Sequence, residues 1–233
     1  MAASEVPLQP YYQDEAVTIY CGDAIEILPL LEADVMVTDP PYGIAWRGTV
    51  YDGRAAQAGR SFRDRELARG GIQNDGDTSA RDAALVLWGD KPALVFGSPI
   101  IPPPAGTKQT LVWQKDPGAG VLGAINGWRR DWEPVYVLGK WPVLPASSSS
   151  VFRFDGSRND AKIIGHPHAK TLPLMQTLIE RCPPGVIVDP FMGSGSTLRA
   201  AKNIGRRCVG IEIDERWCQV AAERCAQEVL DVA

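Results

Sequence analysis

The sequence contains only two histidines, no Cys-x-x-Cys pair and no apolar run near the roughly 18 residues that cross a bilayer. Its five cysteines, Cys21, Cys182, Cys208, Cys218 and Cys225, are odd in number and show no His/Cys ligand spacing. A zinc site is therefore not expected, and a set of buried, reduced thiols is. The opening MAASEVPLQP lacks a basic start followed by an apolar stretch, so no signal peptide is expected. Basic residues are in the minority, with 24 Lys and Arg against 28 Asp and Glu and a net charge of −4. Taken as a bulk number, that balance argues against a nucleic-acid partner.

What is present fits one soluble globular unit. The chain has 233 residues, 45% hydrophobic and 22% charged, enough for one large domain with a real core. Its 23 Gly and 19 Pro imply many sharp turns and at least one long loop. Short apolar runs at Val17–Tyr20, Val35–Thr38, Ala93–Phe96, Leu111–Trp113, Val135–Leu138, Val186–Val188 and Cys208–Ile211 read as strands. Helical stretches at Ala24–Leu31, Arg81–Gly89, Thr171–Arg181, Ser196–Ile204 and Asp214–Leu230 lie between them, the last N-capped by Asp214. The alternation predicts an α/β doubly wound sheet, mostly parallel, which binds ligands beyond the carboxyl ends of its strands. Acidic residues stand at four of those ends: Asp23, Asp39, Asp189, and the pair Glu212 and Asp214.

Two turns carry chemistry. In Asp189-Pro-Phe-Met-Gly193-Ser-Gly195-Ser-Thr197 a strand passes through a glycine turn into a helix. Glycines there allow close approach of a ligand, and Glu212, about 17 residues on at the next strand end, can accept both hydroxyls of a ribose. In Asp39-Pro40-Pro41-Tyr42 two prolines stiffen the turn and leave carbonyl acceptors. Asp39 and the Pro40 carbonyl can together accept the two N–H donors of a base's exocyclic amino group, and the Tyr42 ring can stack on the base.

These blocks, with Gly210-Ile-Glu212-Ile-Asp214 and His166-Pro-His-Ala-Lys170-Thr171, resemble the S-adenosylmethionine-dependent DNA amino-methyltransferases that modify adenine N6 or cytosine N4. Asp39-Pro-Pro-Tyr42 precedes the glycine turn by 150 residues, an order similar to that of the permuted β group. The resemblance implies a seven-stranded, Rossmann-like methyltransferase fold in a single catalytic domain over residues 1–233. Residues 44–80 would form a mobile loop after the catalytic motif, and 141–165 a small target-recognition insertion. It also implies a role for each matching residue. Asp39, Pro40 and Tyr42 would hold the target base. Asp189, Phe191, Gly193, Ser194, Gly195 and Ser196 would line the cofactor, and Glu212 would hold its ribose. Asp23 and Ala24 would meet its adenine, and Lys170 or Thr171 its methionine carboxylate. DNA would be contacted by Arg47, Arg54, Arg60, Arg63 and Arg65 of the loop and by Arg129 and Arg130, which stand between Trp128 and Trp132. The family implies a cytoplasmic enzyme of bacterial, archaeal or phage origin, compatible with a homodimer, and leaves a restriction endonuclease partner open.

The Asp of Asp39-Pro-Pro-Tyr42 favours adenine, with cytosine N4 as the alternative and an RNA or protein amide substrate further behind. Cys182 precedes rather than follows Pro183, which speaks against the cysteine nucleophile of carbon-5 cytosine methylation. The chain departs from the family in having Ser196-Thr197 after the glycine turn and a short segment at Trp141–Ile164, which shifts selectivity onto the loop after Tyr42. Resolved along the chain, the charge is −8 over residues 1–43, +2 over 44–81 and +3 over 115–170. The positive stretches are those that the resemblance assigns to DNA, so the acidic total is compatible with such a partner.

Overall fold

The computed structural model describes residues 8–42, 76–115, 126–129, 131–143, 147–154 and 170–228. Among them, nine strands form one sheet: β1 (Tyr12–Gln13), β2 (Val17–Cys21), β3 (Val35–Thr38), β4 (Ala93–Phe96), β5 (Gln109–Gln114), β6 (Trp132–Leu138), β7 (Val151–Arg153), β8 (Ile187–Asp189) and β9 (Cys208–Glu212). Their order is β1-β2-β9-β8-β3-β4-β6-β5-β7. The five strands from β2 to β4 in that order are parallel. β6 then runs antiparallel to β4 and to β5. The seven expected strands are the inner seven. The two additions, β1 and β7, are edge strands of two and three residues, too short to show a period in the sequence. β7 lies inside the stretch 141–165 read as an insertion, yet its Val151–Arg153 extends the sheet beside Val112–Gln114 of β5.

The helices are α1 (Ala24–Ile27), continued by a 3-10 turn at Leu28–Leu30, then α2 (Ser79–Trp88), α3 (Leu172–Glu180), α4 (Ser196–Asn203) and α5 (Glu215–Ala226). α2 begins at Ser79, so the last two residues of the loop expected over 44–80 belong to a helix. Strands β3 and β4 are buried along their whole length, as continuous apolar runs in a sheet covered on both faces must be. On one face Leu174, Met175, Leu178 and Ile179 of α3 form a single buried stripe, packed with α4 and α5 over Ile19, Val35, Val37, Phe96 and Ile187. On the other face α1 and α2 cover Met36, Val95, Val188 and Ile211. Four cysteines are buried as expected, but Cys21 is exposed, because it closes β2 where the strand emerges from the layers. The Cys182 thiol is packed, donates to the Leu178 carbonyl, and is pushed up to about 12 by burial.

Parallel strands put their carboxyl ends on one edge, which gathers Asp23, Asp39, Asp189 and Glu212 there from four separate stretches of chain. Two N-caps fix the exits from that edge. Asp23 accepts from the Ile25 N–H, and Asp214 accepts from the Arg216 N–H. The turn after β8 reaches α4 through Gly195, whose φ of 76° is left-handed. A Cβ on Gly195 would stand 2.8 Å from the Ala221 Cβ of α5. The glycine thus serves close packing of α4 against α5, whereas the sequence reading gives it to ligand approach. Gly195→Ala is expected to lower unfolding stability by about 1–3 kcal/mol, from left-handed strain and overpacking, as read by urea denaturation.

Candidate active site at the carboxyl edge of the sheet

Asp189 is the most buried of the acidic strand ends, at 2% exposure. Its Oδ1 accepts from the Thr38 hydroxyl at 2.7 Å and the Phe191 N–H at 3.1 Å, and its Oδ2 accepts from the Thr197 hydroxyl at 2.6 Å. Burial raises its carboxyl to about 6 against the pull of these donors. The carboxylate is therefore occupied within the protein, tying the end of β3, the glycine turn and the first turn of α4 into one unit. Thr38 and Thr197 are two structural residues to which the sequence reading gives no role.

Glu212 faces the same turn. Its Oε2 accepts from the Gly193 N–H at 3.0 Å and its Oε1 from the Asp214 N–H at 2.9 Å. Each oxygen keeps a further lone pair for a hydroxyl donor. Burial, only partly offset by these two donors, raises Glu212 to about 7. Ser194, Gly195 and Ser196 are buried beneath the turn, and Arg224 of α5 donates to the Ser194 carbonyl. Phe191 and Gly193 are partly exposed along it. Asp23 spends one carboxylate oxygen as the cap of α1, and Ala24 is buried in the first turn of that helix. Thr171 sits at the N-cap of α3, and its buried hydroxyl has no hydrogen-bond partner among the described residues.

At the end of β3 the chemistry is denser than the sequence suggests. Asp39 receives the Tyr42 hydroxyl on Oδ1 at 2.5 Å and the Lys170 ammonium on Oδ2 at 2.7 Å. Lys170 also lies 3.2 Å from Glu133 Oε2 and donates to the Tyr42 hydroxyl oxygen at 3.2 Å. Glu133 Oε1 pairs in turn with Lys115. Burial alone would depress the Lys170 ammonium, but Asp39 and Glu133 raise it. Burial alone would raise Glu133, but Lys170 and Lys115 hold it below the usual carboxylate range. The Tyr42 phenol is driven well above its ordinary value, first by burial and then by the charges of Asp39 and Glu133. Lys170 is thus committed to the Asp39 side of the edge, and Thr171 alone of the pair stands at the head of α3 with an unsatisfied donor.

Glu133 has no place in the sequence reading, although a signal for it exists. Along β6, Glu133 alternates in phase with Val135 and Val137, which belong to the core under α3 to α5. It is also paired in register with the buried Trp113. The Trp128–Trp132 stretch turns its aromatic rings outward, Trp128 at 83% exposure and Trp132 at 38%, and Arg129 pairs with Asp131 at 3.5 Å. Arg47, Arg54, Arg60, Arg63, Arg65 and Arg130 lie outside the described residues, as do His166 and His168.

The native carboxyl of Asp189 titrates above its unfolded value, so its neutral form is the one the fold favours. The stability linked to that preference is complete below about pH 4 and is lost as pH rises through 6. Thr197→Val removes one donor without changing shape. It is expected to cost about 1–3 kcal/mol at pH 8, where the carboxylate is charged, and less at pH 5, in paired denaturation curves.

An α/β sheet whose carboxyl edge holds an acid-bearing glycine turn beside a proline-stiffened Asp/Tyr turn makes that edge the candidate group-transfer site. Residues 103–223 match the DNA methylase family of N6/N4 methyltransferases, and the chain belongs to that family. It is 26% identical over 270 residues to the type II methyltransferase M.ScaI of Streptomyces caespitosus, covering 94% of this chain and 84% of that one. A shorter match, 45% over 42 residues, joins it to the type II methyltransferase M.SmaI of Serratia marcescens, covering 18% of this chain and 14% of that one. Among solved structures, the M1.HpyAVI–SAM complex superposes with a TM-score of 0.60 at 21% identity, over 91% of this chain and all of that one. PvuII DNA methyltransferase, described as cytosine-N4-specific, superposes with a TM-score of 0.61 at 14% identity, over 97% of this chain and 92% of that one. Both establish the fold. No described helix is long and apolar enough to cross a membrane.

Proposed function

We propose that the chain transfers the methyl group of S-adenosylmethionine to the exocyclic amino group of a base turned out of DNA, adenine N6 first and cytosine N4 as the alternative. The observation that carries this reading is the placement of the Asp39 turn and the Glu212 carboxylate on one sheet edge, at the ends of β3 and β9, with β8 and its glycine turn between them. The residues fit the cofactor. Glu212 retains acceptor capacity on both oxygens for the ribose hydroxyls, and the orphaned Thr171 hydroxyl at the head of α3 suits a carboxylate. The bound sulfonium would supply an electrophilic methyl carbon. Asp39 and the Pro40 carbonyl would then accept the two amino hydrogens and aim the nitrogen lone pair, and Tyr42 would leave Asp39 to stack on the base. As the S–CH3 bond breaks and the N–CH3 bond forms, the nitrogen gives up one proton, which leaves to solvent. Support for adenine comes from Asp rather than Ser at the head of the Pro-Pro-Tyr turn. The arginines of the 44–80 loop, with Arg129 and Arg130, would grip the phosphates. The residues 141–165 would contribute to target choice, and homodimer formation is compatible with this reading.

The direct test is incubation with labelled S-adenosylmethionine and unmethylated DNA, followed by nucleoside mass spectrometry. N6-methyladenine is the expected product, N4-methylcytosine moves the assignment to the sister activity, and label confined to RNA or protein refutes both. Asp39→Ala should lower kcat by about 10²- to 10³-fold and leave cofactor binding in place.

Cofactor affinity should also depend on pH through Glu212. Ribose hydroxyls favour its charged form, so affinity declines as pH falls through about 7 and the carboxyl protonates. The Kd is expected to rise about tenfold between pH 7.5 and pH 6 by calorimetry. Glu212→Gln should bind more weakly and flatten that dependence.

A further inference from the structure

The cations and anions around Asp39, with Lys170 buried and the others partly so, form an alternating row. Lys115 pairs with Glu133, Glu133 with Lys170, and Lys170 with Asp39. Two positive and two negative groups cancel, which is the condition for keeping four charges in so enclosed a place. The row follows from the sheet order. Asp39 leaves the end of β3 and Glu133 sits on β6, with β4 between them. Phe96 closes β4, and the Lys170 ammonium lies 4.9 Å from the centre of its ring, bridging the gap between the two carboxylates. Its side chain is only 6% exposed. A lysine whose task was to catch a soluble ligand would hold its ammonium toward that ligand. Here three oxygens of the protein already hold it.

The two contacts on Asp39 differ in kind. The Tyr42 hydroxyl on Oδ1 is a neutral donor, of the same sort as an amino N–H, and an incoming base can take its place. The Lys170 contact on Oδ2 is charge-assisted and buried, and no neutral donor of a base can replace it at equal strength. We propose that Lys170, backed by Glu133, is a positioning residue for Asp39: it pins Oδ2, fixes the plane of the carboxylate, and reserves Oδ1 for the target amino group. Glu133 sets the strength of that hold by sharing the ammonium, and Lys115 anchors Glu133. This inference rests on the methyl-transfer reading above.

The groups facing Lys170 are Asp39 from β3, the Tyr42 phenol beyond it, and Glu133 from β6, with Lys115 behind Glu133 and Asp189 behind Asp39. Their signs give a test that a merely structural role would not reproduce. The full chain is assayed with S-adenosylmethionine and unmethylated duplex DNA as wild type, Lys170→Met, Lys170→Arg and Glu133→Gln. Lys170→Met should lose about 100-fold in kcat, the size of a small misplacement at a reacting centre, with cofactor Kd changed by less than about threefold. The acidic limb of its kcat–pH profile should move up by about one pH unit, since two carboxylates are left facing each other. In Glu133→Gln the limb should move the opposite way, because the ammonium is left to Asp39 alone. Lys170→Arg should recover part of the lost rate. If Lys170→Met does not fold, the limb displacement in Glu133→Gln and the partial rate in Lys170→Arg carry the same test. A raised cofactor Kd with kcat intact would return Lys170 to the methionine carboxylate and overturn the proposal. Unmoved limbs in both variants would overturn it as well. An active wild type with variants that match it defeats this inference alone, whereas a wild type that methylates no DNA base defeats the functional reading and this inference together.

Discussion

The three-way hold on the Asp189 carboxylate is the contact from which the rest of the edge takes its position. Thr38, one residue before Asp39, is tied through it to the turn that begins at Phe191 and to Thr197 in the first turn of α4. The strand that leads into the Asp39-Pro-Pro-Tyr42 turn and the strand that leads into the glycine turn are therefore fixed in relative height. A methyl donor and an amino acceptor must meet within a few tenths of an ångström, so a rigid link between the two strands is what such chemistry requires. Hydroxyl donors suit the task. They satisfy a buried acid without bringing another full charge to a site that already holds several.

Much of this was legible in the sequence because the signals were local. Each inner strand is a short apolar run, α3 shows its buried stripe, and Asp214 announces the start of α5. The acidic strand ends could be placed on one edge because parallel strands share a direction. What the sequence leaves unread are contacts between distant segments. Lys170 precedes a helix start, which points a reader of the sequence toward an anionic ligand. Its actual partners come from β3 and β6, and no local pattern names them. Glu133 stands between a tryptophan and a proline in a strand with an exposed end, so it looks solvated until the alternation with Val135 and Val137 is followed. Gly195 reads as space for a ligand, but the atom that fills that space is the Ala221 methyl of a helix still to come in the chain.

The charge of the chain has a comparable lesson. The first 43 residues hold eight acids and no Lys or Arg, which would be an unfavourable collection if it stood alone. In the folded protein two of these acids are matched by cations from far along the chain. Asp39 meets Lys170, and Asp14 meets Lys202 at 2.6 Å. Net charge thus describes the acidic N-terminal stretch poorly, since its partners are supplied by the other end of the sequence.

That dependence reaches into how the molecule is made. β2 pairs with β9, and β3 with β8 as well as β4, so β2 lacks its parallel neighbour and β3 one of its two until the chain past residue 187 is made. A ribosome must therefore emit about four fifths of the chain before the middle of the sheet can close. Until then Val17, Ile19, Val35 and Val37, all buried at the end, have only transient shelter. Non-local pairing of this kind folds slowly and leaves strand edges open to aggregation during synthesis. The order of segments that puts the Asp39 turn first thus leaves closure of the sheet to the last α/β unit of the chain.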